Sequence, residues 1–413
     1  MDIILELKAR NVINNITNDD KAKLFSKTKN VGVYCGFDPS FKSLHLGNYL
    51  MLITLKRFAN AGYKVVPLVG GATGQIGDPS GKLAERKLLG INVIQNNINE
   101  INKQIKAIVG TNCINNMDFY KNMNIFDFLR EVGKEINVNY LLEKEIIAKR
   151  LEVGISYAEF SYTLIQAFDF YCLYKDYGVV LQIGGSDQWG NITTGIEFIR
   201  KKTNDKSNVF GITLNLLTKS DGTKFGKSEK GAIFLNKELT SPYTMYQFLI
   251  NQTDNDVKKL LLSLTFLSIN EIDKIMEKHN ENKSVRYAQT ILAKSIVSDI
   301  HGKRICEKCE QISKLFFAND LSKLNANDLL MVLNDMPTTN IDTESINILD
   351  LLIKSNICTS KSQARQLVMS KSIYINNKLV DDINININKK EAINNKFSYI
   401  CKGKKNYFLI NWK

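Results

Sequence analysis

The stretch from Val31 to Tyr49, reading VGVYCGFDPSFKSLHLGNY, narrows the possible folds of this chain more than any other. Val31, Val33 and Phe37 favour a strand. Asp38-Pro39-Ser40 then reverses the chain, because proline fixes φ and short polar side chains bond to nearby backbone in turns. Leu46, Leu50, Ile53 and Leu55 to Phe58 return at helical spacing, and Gly62 is placed to close that helix. His45 and Gly47 therefore stand at the start of a helix that follows a strand. Free N–H groups and the helix dipole favour a phosphate there, and a glycine lets a nucleotide lie against the backbone.

Further strands and polar edges repeat the theme. Lys64 to Gly70 (KVVPLVG) is a short apolar run, as expected of a buried strand in a parallel sheet, and it leads into Gly70 to Gly81 (GGATGQIGDPSG). So many glycines beside one strand imply backbone pressed against a ligand, with Asp78 at the carboxyl edge where open α/β sheets bind. Two phosphate motifs fail here: Gly77 to Lys82 is one residue short of a P-loop and lacks its Ser/Thr, and Gly71, Gly74 and Gly77 miss the dinucleotide spacing. Val179 to Ile183 is another buried strand, ending in Gly184 to Asn191 (GGSDQWGN), where Gly185 and Asp187 suit ribose hydroxyls. Tyr162, Gln166 and Asp169 recur at i, i+4 and i+7 and so form a polar stripe on an otherwise apolar helix. At Lys224 to Ser228 (KFGKS) a glycine loop carries two lysines, a layout suited to clamping a polyphosphate.

The rest of the chain is read more coarsely. Residues 3–30 are predicted as amphipathic helix and 90–150 as a helical insertion between sheet halves. Ser241-Pro242 is an N-cap and first helical position, and the pattern stays helical to about 335, with Gly302 closing one helix. Cys306 and Cys309 have no second pair and read as ordinary helix residues; no metal site is predicted. Residues 336–347 (MPTTNIDTESIN) have linker composition. Beyond them come a helix around Leu349 to Ser355, a second helix opened by Ser360 to Gln363 as a capping box, strands Ser372 to Ile375 and Lys378 to Val380 about an Asn376-Asn377 turn, and a last strand, Asn406 to Trp412.

Composition bounds these readings. A chain of 413 residues with 44% apolar content is long enough for about three domains. Its longest apolar runs fall short of the roughly 18 residues a membrane helix needs, and Asp2, Glu6, Asp19 and Asp20 make its N-terminus unlike a leader, so a cytoplasmic protein is expected. Seven cysteines without a framework fit a reducing compartment. The net charge of +13 suits a nucleic-acid partner, yet a chain so rich in Asn, Ile and Lys owes much of that charge to codon usage. Only clustering is informative, and the bases cluster at Lys361, Arg365, Lys371 and Lys402 to Lys405.

With these residues in view the whole chain resembles the bacterial-type tyrosyl-tRNA synthetases, members of the class I aminoacyl-tRNA synthetases, whose two ATP motifs are His-x-Gly-His and Lys-Met-Ser-Lys-Ser. The likeness rests on Tyr34 to Pro39, the glycine-rich stretch through Lys82, the Tyr162/Gln166/Asp169 face, Gln182 to Asn191, and Lys224 to Ser228. It implies an α/β fold: a Rossmann-like parallel-sheet catalytic domain over 1–238, an α-helical anticodon-binding domain over 239–335, the linker, and a small C-terminal α+β RNA-binding module over 348–413. It also implies a homodimer formed through the 90–150 insertion. Tyr34 and Asp169 would take the phenolic hydroxyl of L-tyrosine, and Asp78, Tyr162 and Gln166 its ammonium, with Asp38, Gln182 and Gln188 completing that pocket. Cys35, Gly36, Ser40, His45, Gly47, Asn48, Gly185 and Asp187 would hold ATP. Lys82, Arg86, Lys224 and Lys227, with Phe225, Gly226 and Ser228 between and beside them, would hold the leaving pyrophosphate.

Two departures from the motifs stand out. Asn48 replaces the second His of the first motif and cannot titrate, although its amide still donates a hydrogen bond. Phe225-Gly226 replaces Met-Ser in the second, a form common in the bacterial tyrosyl enzymes. The implied reaction joins tyrosine to ATP, with Mg²⁺ accompanying the nucleotide, and then to the tRNA for tyrosine. It needs no protein nucleophile, because donors and cations aimed at the departing pyrophosphate lower the barrier. Rejection of phenylalanine would come from Tyr34 and Asp169, so no editing domain is required. The alternatives are the sister tryptophanyl enzyme and a non-catalytic RNA-binding protein on a synthetase scaffold.

Overall fold

Apolar runs with strand propensity build the centre of the first part of the chain. The structure is a computed structural model and describes residues 2–80, 88–228, 231–317, 337–393, 395–403 and 406–413, with backbone alone at 227–228 and 316–317. After α1 (Ile3–Ala9), β1 (Ile13–Ile16) and α2 (Asp19–Lys27) come β2 (Gly32–Phe37), α3 (Tyr49–Asn60), β3 (Lys64–Val69), α4 (Ile91–Val109) and β4 (Ile114–Asn115). Four short helices follow: α5 (Met117–Tyr120), α6 (Ile125–Glu131), α7 (Val138–Leu142) and α8 (Glu145–Leu151). Then come α9 (Tyr157–Tyr177), β5 (Val179–Gly185), α10 (Trp189–Lys202) and β6 (Phe210–Leu214).

The sheet order is β1-β6-β5-β2-β3-β4. All neighbours are parallel except β1, which pairs antiparallel with β6 through Ile13–Leu214 and Ile16–Ile212. The expected unbroken helix over 3–30 is therefore corrected: its middle is an edge strand. Ile-Asn-Asn-Ile exposes both asparagines, so neither a helical nor an alternating pattern marks it. An antiparallel edge on a parallel sheet is a common arrangement. The 90–150 segment, expected as a helical insertion, also contains β4, two residues long.

From β2 the chain moves outward to β3 on one side, while β5 lies on the other, so the strand order reverses between β2 and β5. The carboxyl ends of those two strands form the crevice where such sheets bind ligands. Close packing sets their spacing. A Cβ on Gly32 would lie 2.8 Å from the Val179 Cα, so only glycine lets β2 and β5 pair there.

The chain divides into two compact units, Met1–Asn236 with Thr253–Ala288, and Lys237–Gln252 with Gln289–Lys413. In the first unit β7 (Lys227–Ser228) and β8 (Gly231–Ala232) form a small ribbon. Next in the chain, α11 (Pro242–Ile250) belongs to the second unit, and its N-cap Ser241 accepts from the Thr244 N–H with proline in the first turn. α12 (Asp254–Leu264) and α13 (Ile269–Glu281) belong to the first unit rather than to a separate helical body. Buried Arg10 and Arg57 explain the attachment, for Arg10 donates to the Leu262 and Leu267 carbonyls and Arg57 to those of Leu262, Ser263 and Thr265.

In the second unit α14 (Tyr287–His301) and α15 (Lys303–Phe317) meet at Gly302, whose φ of +90° closes the first of them. Cys306 and Cys309 are buried on α15. The expected linker at 336–347 is also corrected: Thr338–Ile341 is β9 and Ser345–Asn347 is β10. With β11 (Ile373–Ile375), β12 (Lys378–Leu379), β14 (Phe397–Lys402) and β15 (Asn406–Trp412), β9 completes a five-stranded sheet in the order β12-β11-β14-β15-β9. β10 pairs with β13 (Asn386–Asn388). Helices Ile348–Lys354 and Lys361–Met369 bury Leu351, Leu352, Ala364 and Val368 against Ile400, Ile410 and Trp412. Asn376 and Asn377, with φ of +45° and +68°, make the predicted turn. Half of the expected capping box forms, with Ser360 Oγ accepting from the Gln363 N–H at 3.2 Å, while Gln363 Oε1 accepts from the Thr359 N–H at 3.0 Å instead of from that of Ser360. Lys404 and Lys405 lie outside the described residues.

Candidate active site

A pocket of about 500 Å³ opens over the carboxyl ends of β2 and β5. β2 supplies Tyr34, Cys35 and Gly36, and the turn after it Asp38 and Ser40. β5 and the turn beyond it supply Gln182, Gly185, Asp187 and Gln188, while α9 supplies Tyr162, Gln166 and Asp169 from one face. His45, Gly47, Asn48, Asp78, Lys224 and Phe225 complete the walls. Most of the residues expected to meet at one site do so. Lys82 and Arg86 lie outside the described residues, and at Lys227 and Ser228 only the backbone strand is described.

The floor is a buried polar network. Asp169 is 1% exposed and accepts from Tyr120 Oη at 2.8 Å and from Asn116 Nδ2 at 2.9 Å. Burial pushes its carboxyl up to about 7, against the pull of those two hydrogen bonds and with a further push from Asp38. The Tyr34 hydroxyl is buried without a hydrogen-bond partner among the described residues, and burial, with Asp169 next, holds it well above the ordinary phenol value. Buried polar groups are nearly always paired, so a ligand group is indicated at this end. Among the described residues Gln166 Oε1 and Gln182 Oε1 are likewise buried without a partner.

Carboxylates ring the middle of the pocket. Asp38 accepts from Tyr162 Oη at 3.0 Å and from Thr73 Oγ1 at 2.9 Å. Asp78 accepts from the Ser80 N–H at 2.9 Å and from Gln188 Nε2 at 2.7 Å, while Gln188 Oε1 accepts from Asn191 Nδ2 and Gln166 Nε2.

The opposite end is backbone. The Leu46 N–H donates to the Ile233 carbonyl at 2.8 Å, the Ile233 N–H donates to the Gly226 carbonyl at 2.8 Å, and His45 bridges Phe234. The two loops thus share one strap. Gly226 has φ +85°, and a Cβ there would lie 2.7 Å from the Gly47 N, so the loops touch backbone to backbone. Asn48 occupies the N-cap of α3, and its Oδ1 accepts from the His45 N–H at 3.1 Å, so it orders the turn that carries His45. A Cβ on Gly36 would meet only open space, which leaves room for a ligand over the strand. The Cys35 thiol, pushed up to about 12 by burial, stays neutral beside it.

Comparisons agree with this geometry. A profile for "tRNA synthetases class I (W and Y)" matches residues 26–318, and one for the "Tyrosine--tRNA ligase SYY-like C-terminal domain" matches 328–410. A tyrosine-tRNA ligase of Ureaplasma urealyticum serovar 10 is 53% identical over 411 residues, 100% of this chain and 99% of that one. The chain belongs to the class I tyrosyl-tRNA synthetases. A tyrosine-tRNA ligase of Mycoplasma capricolum is 45% identical over 410 residues, 99% of either chain. A C-terminally truncated mitochondrial tyrosyl-tRNA synthetase of Aspergillus nidulans superposes with a TM-score of 0.70 at 30% identity, over 76% of this chain and 94% of that one.

Several site residues of this synthetase escaped the sequence reading. Asn116 is fully buried, donates to Asp169 and Thr73, and accepts from the Ala72 N–H at 2.7 Å. Tyr120 and Thr73 second the two carboxylates. Asn116 follows β4 directly, so recognising that strand would have placed it at a carboxyl edge.

Proposed function

We propose that the chain activates L-tyrosine with ATP and transfers the tyrosyl group to the 3′-terminal adenosine of the tRNA for tyrosine. The observation that carries the choice of amino acid is the buried, unpartnered Tyr34 hydroxyl beside Asp169. A phenol placed there accepts from Tyr34 and donates to Asp169. Phenylalanine would leave Tyr34 unpaired and offer Asp169 no donor beyond Tyr120 and Asn116, and tryptophan, a donor only, would likewise leave Tyr34 unpaired. Asp78, Tyr162 and Gln166 then face the ammonium, with Asp38, Gln182 and Gln188 around them.

ATP lies across Cys35, Gly36, Ser40, His45, Gly47, Asn48, Gly185 and Asp187, entering as its magnesium salt. The tyrosine carboxylate attacks the α-phosphorus, a P–O bond forms, the bond to the β-phosphate oxygen breaks, and pyrophosphate leaves with both electrons. Lys82, Arg86, Lys224 and Lys227, with the Phe225, Gly226 and Ser228 backbone, draw that charge away. A ribose hydroxyl of the tRNA then attacks the tyrosyl carbonyl and AMP departs. The basic C-terminal module and the helices before it contact the tRNA, in a protein working in the cytoplasm. Tyrosine-dependent exchange of labelled pyrophosphate into ATP tests the reading: exchange with tyrosine and not with tryptophan supports it, while exchange with tryptophan, or with neither, overturns it.

The active form is a homodimer. Between β4 and the first residue of α9, Ile125, Phe126, Val138, Val153 and Tyr157 are 57–77% exposed, large apolar side chains that favour a partner over water. Phe126→Asp is expected to halve the mass seen by analytical ultracentrifugation, and a wild-type mass already that of one chain would refute the dimer.

A further inference from the structure

The turn that carries Lys224 is held from outside the pocket. Residues 217 to 225 form a tight hairpin: the Phe225 N–H donates to the Leu217 carbonyl at 2.9 Å, Thr218 bridges Lys224, and the Lys219 N–H donates to the Thr223 carbonyl at 2.8 Å. Its tip is gripped by α12. Asp256, 5% exposed in the first turn of that helix, accepts from the Ser220 N–H at 2.8 Å and from Ser220 Oγ at 3.2 Å. The far end of α12 is tied to α3, where Arg57 Nη1 donates to the Ser263 carbonyl at 3.0 Å and Nη2 to that of Thr265 at 2.6 Å. α3 begins where the His45–Gly47 turn ends, and the hairpin leads straight into Gly226. One helix of 11 residues, about 16 Å long, therefore spans the supports of both ATP loops.

We propose that Asp256 is a positioning residue for the activation step, holding Ser220 so that the hairpin presents Lys224 and Gly226 at a set distance from His45 and Gly47. The inference deepens the synthetase reading and rests on it. Asp256 touches no substrate. Its effect runs through backbone, since a carboxylate accepting an N–H fixes the main chain more firmly than a neutral acceptor does. Its carboxylate also serves the helix itself, because Thr253 Oγ1 donates to Asp256 Oδ2 at 2.7 Å as part of the N-cap. Loss of the cap must therefore be separated from loss of the grip on Ser220.

Two variants of the full chain separate them: Asp256→Ala, which loses the grip on Ser220 and the carboxylate partner of Thr253 Oγ1 but keeps the backbone N–H that donates to that hydroxyl, and Thr253→Ala, which loses the cap hydroxyl and keeps the carboxylate on Ser220. Asp256→Ala is expected to lower kcat for tyrosine-dependent pyrophosphate exchange about 30-fold, the worth of one charge-assisted hydrogen bond, and to leave the tyrosine Kd unchanged. Amide hydrogen exchange in the 218–226 peptide should speed up in the same variant. Thr253→Ala should keep kcat within about threefold and leave that peptide protected. Equal losses in the two variants, or a slow-exchanging peptide in Asp256→Ala, would overturn the proposal. Hydrogen exchange reads the grip without any activity, so wild-type protein that fails to exchange pyrophosphate would count against the synthetase reading alone.

Discussion

Asp169→Asn should raise the tyrosine Kd about 100-fold and leave that of phenylalanine nearly unchanged, so that discrimination between the two collapses. The size follows from losing a hydrogen bond to a charged group, worth about 1.5–3 kcal/mol, or roughly 10- to 150-fold in affinity. Asparagine fills the same volume, yet Asn116 and Tyr120 already aim two donors at the position, and an amide offers one accepting oxygen where the carboxylate offers two. Equilibrium dialysis with each amino acid measures the change. A variant that binds tyrosine as tightly as wild type would remove Asp169 from the phenol site.

The same carboxyl sets a pH dependence of known sign. Burial raises it to about 7, and a proton on either oxygen displaces Tyr120 or Asn116 and weakens the acceptor offered to a phenol. Tyrosine affinity should therefore fall as pH drops through about 7, approaching a tenfold loss per unit, whereas phenylalanine affinity stays flat. Stability runs the other way. The folded chain holds this proton more tightly than the unfolded chain does, so the contribution of Asp169 is greatest below the ordinary carboxylate range and is lost as pH rises through about 7. Without ligand, Asp169→Asn should melt higher relative to wild type at pH 8 than at pH 5. A gap that narrows with rising pH would contradict the raised carboxyl.

Much of this site was legible before any coordinates. β3 and β5 are apolar runs that end in glycines and β2 is one that ends at the Asp38-Pro39 turn, which is how buried strands of a parallel sheet read. The stripe of Tyr162, Gln166 and Asp169 needed only helical spacing. What stayed hidden depends on neighbours distant in the chain. β1 and β9 are short and polar and become strands only because β6 and β15 offer them edges. β4 is two residues long, too short for any period, and it concealed Asn116 with it. The attachment of α12 to the first unit runs through the Arg57 and Arg10 guanidinium groups and main-chain carbonyls, which leave no trace in residue type at the accepting end. Asn48 shows the converse: as a missing histidine it reads as a loss, while the structure uses its side chain to pin His45.

Gly226→Ala should slow tyrosyl-adenylate formation by about 100-fold or more while the tyrosine Kd stays at the wild-type value. Two separate costs fall on that position. Its φ of +85° is a left-handed conformation that costs an L-residue about 1–2 kcal/mol. In addition, the new Cβ would sit 2.7 Å from the Gly47 N and 3.4 Å from the Leu46 carbonyl carbon, both rigid backbone, so the two loops must part. The strap through Ile233 transmits the shift, since that residue bonds Gly226 on one side and Leu46 on the other. A displacement of roughly 1 Å between groups that must converge on one phosphate costs on the order of 100-fold in rate. Tyrosine binding lies at the other end of the pocket, around Tyr34 and Asp169, and has no reason to change. A stopped-flow measurement of adenylate formation, with tyrosine affinity from dialysis, separates the two. Equal losses in rate and affinity would mean that the loops and the phenol site are one unit. An unchanged rate would mean that contact between the two loops is not needed for activation.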